Sequence, residues 1–133
     1  MMTQLIYASH PFGFDSSTLA NILSGARRNN RRDSITGALV CRDDLYLQLV
    51  EGPSEAIDSL YARIRDDDRH HDVELLWRGP IDARMFPAWE MLDDPGRSWL
   101  WSREQVTGGA PTAATPAALR GVFERIALET AAD

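Results

Sequence analysis

Lysine is absent from this 133-residue chain; all fourteen of its positive side chains are arginine. That excludes Schiff-base chemistry, a pyridoxal phosphate anchor and the lysine of a phosphate loop. Cysteine occurs once, as Cys41, so no intrachain disulfide and no zinc site built on two or four cysteines can form. Long apolar runs are missing too: Leu45–Val50 falls far short of the ~20 residues a membrane span needs. No basic, apolar leader opens the chain, so the expectation is a cytoplasmic protein with no membrane association. Twenty acidic residues outweigh the arginines and give a net charge of −6. Nucleic acid is therefore not an expected partner, because such binding rests on a basic surface. The motifs G-x-S-x-G, G-x-G-x-x-G and H-E-x-x-H do not occur. His70 and His71 are adjacent and would point apart, which suits no shared metal. The acidic runs Asp43–Asp44 and Asp66–Asp68 read as solvated turns. No nucleophile stands beside a base, so neither enzymatic activity nor a metal site is expected.

What is present reads as one soluble globular domain, with 44% hydrophobic and 26% charged residues. Gln4–Ser9 is a short apolar strand. Ser16 and Ser17 are N-cap candidates for a helix whose stripe is Leu19, Ile22, Leu23 and Ala26, closed by Arg27 and Arg28. Asn29–Ser34 reads as a loop. Ile35–Arg42 and Leu45–Glu51 form a hairpin about Asp43–Asp44. Ser54 starts a second helix with Ala56, Ile57, Leu60, Tyr61 and Ile64 on its apolar face, ending near Asp66–Asp68. Val73–Trp77 is a fourth strand before a turn at Gly79–Pro80, and Trp89–Leu92 a fifth. The order strand, helix, strand, strand, helix, strand predicts an α+β, ferredoxin-like βαββαβ fold with both helices on one face. After a loop at Gly108–Thr115, Thr115 caps and Pro116 opens a last helix with Leu119, Val122, Phe123 and Ile126 as its stripe. That stripe needs cover, from the open face of the sheet or from a partner.

A few residues sit oddly in this scheme. Gln48 lies mid-strand, on the face of Tyr46 and Val50, where an unmet amide costs ~1–3 kcal/mol. Either it reaches water at an edge or a ligand satisfies it. Tyr7 is also mid-strand, and its hydroxyl needs a partner. Asn29 and Asn30 either terminate a helix or present paired amides to a heterocycle edge. Trp89 and Met91 share one strand face, as core or as site.

In order along the chain, LIYAS (Leu5–Ser9), RRNN (Arg27–Asn30), ITG (Ile35–Gly37), LQLVEG (Leu47–Gly52), DDRHH (Asp67–His71), PI (Pro80–Ile81) and FPAWEM (Phe86–Met91) resemble the BLUF family of blue-light sensors that use flavin. The resemblance implies a flavin ring held between the two helices, sandwiched by Ile22 and Ile64. It places Asn30, with Asn29 beside it, at the ring's carbonyl edge. Arg69 and Arg28 become cofactor contacts, and Arg27, Arg31 and Arg32 looser phosphate candidates. Tyr7 and Gln48 correspond to the photoactive pair, with Trp89 and Met91 as semi-conserved companions of unassigned orientation. In the family, light drives electron and proton transfer from the tyrosine, the glutamine network rearranges, and a red-shifted signalling state results. Ala26 replaces a serine of several relatives, and Glu90 a small residue.

The expected cofactor is FAD, with FMN or riboflavin as alternatives. The expected division is a photosensory domain over 1–95 and a C-terminal helical extension over 96–133, too short for a second globular domain. Output would then pass to a downstream protein or through homo-oligomerisation. The rival expectation, from fold alone, is a small-molecule-binding protein or a cofactor-free monooxygenase-type dimer.

Overall fold

The computed structural model describes residues 2–11, 16–42, 44–66, 70–87, 89, 91–94 and 100–132. In chain order the elements are β1 (Met2–Pro11), α1 (Ser16–Asp33), β2 (Thr36–Arg42), β3 (Leu45–Pro53), α2 (Ser54–Asp66), β4 (His70–Ile81), β5 (Leu92–Asp94), α3 (Arg103–Thr107), α4 (Ala110–Ala113) and α5 (Pro116–Ala132). The sheet order is β4-β1-β3-β2-β5. Its first four strands pair antiparallel and β5 runs parallel to β2. This is the expected ferredoxin-like fold with a fifth strand.

Strand alternation sends two sets of side chains to opposite faces. Leu5, Tyr7, Leu39, Cys41, Tyr46 and Val50 meet Leu23 of α1 and Ile57 of α2 on one face. Ile6, Ala8, Val40, Leu47 and Leu49 form the other, where Leu119, Phe123 and Ile126 of α5 lie on them. The α5 stripe is thus covered by this chain's own sheet, and Phe123 meets Phe86 edge-on at 6.4 Å. Thr115 caps as expected, its Oγ1 accepting from Ala118 N at 3.1 Å.

Four expectations change. First, α1 does not stop at Arg28 but runs through Asp33, and Ser34 takes the left-handed turn at φ 60°. The Ile35 N–H closes that end on the Asn30 carbonyl at 2.8 Å, the six-residue closure of a Schellman motif. Second, no turn interrupts β4 at Gly79–Pro80, which pair with Gln4 and Thr3. Strand β4 lies at the sheet edge, where proline removes no ladder bond if its nitrogen faces outward. Third, the fifth strand is Leu92–Asp94 rather than Trp89–Leu92. Arg27 takes the Met91 carbonyl with Nε and Nη2, each at 3.2 Å, which withdraws that oxygen from any ladder. Fourth, the Gly108–Thr115 loop holds the short helix α4. The expected caps Ser16 and Ser17 fall within α1; their side chains, like that of Ile22, lie outside the described set.

Gly37 has a steric reason to be glycine. A Cβ there would fall 2.0 Å from the Leu49 carbonyl oxygen across the ladder.

Candidate functional site

Tyr7 on β1 and Leu39 on β2 both lie directly opposite Gln48 on β3. Tyr7 and Gln48 therefore share the face that α1 and α2 cover. Tyr7 is 1% and Gln48 6% exposed. The Tyr7 hydroxyl donates to Gln48 Oε1, and Gln48 Nε2 donates to Met91 Sδ at 3.3 Å. The amide is held between a phenol, which can donate or accept, and a thioether, which accepts weakly.

Above this trio lies a cavity of about 380 Å³, within the ~300–1,000 Å³ range of small-molecule clefts. Gly25, Ala26, Arg28, Asn29 and Asn30 of α1 form one wall. Leu60, Arg63 and Ile64 of α2 form the other, with Tyr7, Leu39, Gln48 and Met91 as the floor. The small residues Gly25 and Ala26 keep α1 from filling the space, so the two helices frame a slot with an apolar interior and a polar rim.

Asn30 is 1% exposed. The residue makes other contacts, yet its buried Oδ1 receives no hydrogen bond from the protein. Its place in the last turns of α1, fixed by the Ser34 closure, aims it toward the cavity wall. A planar heterocycle with a donor on its edge would meet that oxygen. The residues present fit flavin: an apolar slot for a flat ring, amides at one edge, and Arg28 and Arg63 at the rim.

Of the ten site residues expected from sequence, seven line this one cavity: Tyr7, Arg28, Asn29, Asn30, Gln48, Ile64 and Met91. Arg69 and the side chain of Ile22 lie outside the described residues. Trp89 is not brought to the cavity. Its side chain is 43% exposed beside a separate surface groove with Arg31, Ser34, Arg84 and Pro87. The backbone explains the divergence: Gly37 N–H takes the Trp89 carbonyl at 3.1 Å and Arg27 the Met91 carbonyl, so the stretch turns Met91 inward and Trp89 out.

The looser phosphate candidates divide too. Arg27 is engaged with Met91, and Arg32 is bound to Asp33 at 2.9 Å. The hydrogen bond from Arg32, helped by Arg63, holds the Asp33 carboxyl below its ordinary range. Arg27, Arg28 and Arg31 all line the outer groove of α1.

Sequence reasoning missed Arg63 at the cavity rim. It also passed over Glu51, which is 0% exposed. The signal for Glu51 was in the alternation: it falls on the face of Leu47 and Leu49, where a carboxylate has to be fully hydrogen-bonded.

No group of three or more His, Cys, Asp or Glu among the described residues is placed to hold a metal. No helix among them is long and apolar enough to cross a membrane.

A ferredoxin-like sheet whose two helices frame a slot above a buried tyrosine–glutamine pair has the architecture of a small-molecule-binding domain. The model of the BLUF family, "Sensors of blue-light using FAD", matches residues 2–92, and the chain belongs to that family. The family is named for sensing blue light with FAD. Among curated relatives, the photoactivated adenylate cyclase subunit beta of Euglena gracilis is 41% identical over 70 residues, 53% of this chain and 8% of that protein. The blue light- and temperature-regulated antirepressor BluF of Escherichia coli (strain K12) is 37% identical over 87 residues, covering 65% of this chain and 22% of that one. The chain thus spans under a tenth of the cyclase subunit and under a quarter of the antirepressor. Among solved structures, the dark state of the BLUF protein BlrB superposes with a TM-score of 0.79 at 28% identity, covering 96% of both chains.

Proposed function

We propose that this chain senses blue light through a switch made of Tyr7, Gln48 and Met91, beneath a flavin held between α1 and α2. The observation that carries this reading is the buried chain of contacts from the Tyr7 hydroxyl through the Gln48 amide to the Met91 sulfur. Ile64 and Ile22 flank the ring, Asn29 and Asn30 meet its polar edge, and Arg28 and Arg69 hold the more distal part of the cofactor. FAD is the first candidate, before FMN or riboflavin.

Bound flavin supplies blue-light absorption and, when excited, oxidising power toward a neighbouring phenol. Tyr7 has its proton already directed at Gln48 Oε1, so loss of an electron from the phenol lets that proton move along an existing hydrogen bond. The Gln48 amide, held by a phenol that can reverse its role and a weak sulfur acceptor, then reorients. When electron and proton return to Tyr7, the amide keeps its new partners and the Met91 contact is altered. The chemistry closes on itself, and what persists is a different hydrogen-bond network.

The signal leaves through the Met91 stretch. A downstream protein or a second copy of this chain receives it, in the cytoplasm, and the chain itself catalyses no reaction. Tyr7→Phe and Gln48→Leu test the reading: each should bind flavin as the unaltered protein does yet show no light-induced red shift. A normal shift in either variant would refute the assignment.

A further inference from the structure

The face of the sheet opposite Gln48 carries a buried polar network that the light reaction does not use. At its centre is Glu51. Its Oε1 accepts from Phe86 N at 2.6 Å and Thr36 Oγ1 at 3.4 Å. Its Oε2 accepts from Met85 N at 3.0 Å and Gln4 Nε2 at 3.1 Å. All four partners donate, so the position calls for a group that only accepts, which an ionised carboxylate is and an amide is not. Arg84 closes the same corner, donating to Thr36 Oγ1 at 2.9 Å and to the Glu51 carbonyl at 3.1 Å.

The network points in two directions. Met85 and Phe86 begin the stretch that ends at Met91, and the Phe86 carbonyl in turn accepts from Trp89 N at 3.3 Å. In the other direction, Gln4 turns its Oε1 to Arg120 Nε of α5 at 3.0 Å. Arg120 also lies over the Trp77 ring at 5.3 Å. Gln4 therefore joins a carboxylate that fastens the Met91 stretch to a guanidinium on the C-terminal helix.

We propose that Glu51 is a positioning residue of the switch, and that Glu51, Gln4 and Arg120 carry its change of state through the sheet to α5. The proposal rests on the Tyr7–Gln48–Met91 reading above. Where the 85–91 stretch hangs from Glu51 determines how the Met91 sulfur meets the Gln48 amide. When that contact changes, the stretch shifts against the carboxylate, the Gln4 Nε2 donor follows it, and the bond that Gln4 Oε1 accepts from Arg120 changes in turn. Fully satisfied buried networks hold discrete arrangements and pass such shifts on as units.

The full chain loaded with flavin tests both halves. Glu51→Gln sets an amide N–H against donors and should change the dark-recovery rate by about threefold or more, with flavin still bound. A merely structural role would lower thermal stability and leave that rate alone. Arg120→Met keeps an apolar stem over Trp77 and should retain the red shift. It should lose the light-minus-dark difference in amide hydrogen exchange over residues 116–127 that the unaltered protein displays. Unchanged recovery in Glu51→Gln, or a full exchange difference in Arg120→Met, overturns the proposal. Should Glu51→Gln fail to fold, Thr36→Val, which removes one donor, takes its place under the same criterion. An unaltered protein that never red-shifts refutes the sensor switch itself. One that red-shifts without any exchange difference on α5 refutes the relay alone.

Discussion

Two glutamines are buried in this sheet, Gln4 on β1 and Gln48 on β3, at 1% and 6% exposure and on opposite faces. Gln4 lies between the Glu51 carboxylate, which can only accept, and the Arg120 guanidinium, which can only donate. Its amide has one satisfactory orientation, and turning it would set like against like at both ends. Gln48 lies between the Tyr7 hydroxyl and the Met91 thioether. A hydroxyl accommodates either end of an amide, and a thioether binds neither strongly, so two orientations lie close in energy. Burial alone does not make a switch; ambiguity of the partners does. The same residue type serves as a fixed strut on one face and a movable element on the other.

Replacing each glutamine by leucine gives the sharpest contrast. Gln48→Leu should abolish the red shift completely while changing unfolding free energy by no more than about 1.5 kcal/mol. Gln4→Leu should leave the red shift present. It should lower stability by about 3 kcal/mol in denaturant titration, because Glu51 and Arg120 each lose a buried partner. Equal effects of the two on the spectrum would break the comparison.

Gly37→Ala disturbs both faces at once, since its Cβ meets Leu49 backbone rather than a movable side chain. A loss of about 3 kcal/mol or more is expected, read from the denaturation midpoint. The opposite sign is expected at Ser34, whose left-handed conformation is strained for any residue with a Cβ. Ser34→Gly should raise stability by about 0.5–1 kcal/mol and leave the spectrum alone, since Asn30 keeps its position.

The smallest effect concerns acid. The Asp33 carboxyl titrates below its unfolded value because of Arg32 and Arg63. The stabilisation is therefore full above the unfolded pKa and disappears as pH falls through the lower folded pKa. Asp33→Asn should flatten that small acid-side slope, and salt should weaken it in the unaltered chain.

The fold was legible because the apolar periods of β1, α1, β2, β3 and α2 are clean and the turn residues stand between them. Legibility failed where tertiary partners override local preference. Gly79 and Pro80 read as a turn but continue β4, because β1 offers them a register. Asn29 and Asn30 read as a helix end, but Ser34 takes the left-handed turn and Arg84 holds its carbonyl at 2.7 Å. At the site, alternation marked Tyr7 and Gln48 as mid-strand polar residues but left open whether the Gln48 amide reached water, and the ordered motifs supplied their roles. The orientations of Trp89 and Met91 were not legible. They depend on Gly37 and Arg27, distant in sequence, which grip two nearby carbonyls. Glu51 obeyed the alternation but was read only as part of a motif, although a carboxylate at a core position announces a network.

The most direct measurement is the visible absorption spectrum of the flavin-loaded chain, first in darkness and then under blue light. The account predicts an oxidised-flavin spectrum that shifts slightly to the red on illumination and returns in the dark. A bound flavin whose spectrum does not move, or a chain that takes up no flavin, would contradict it.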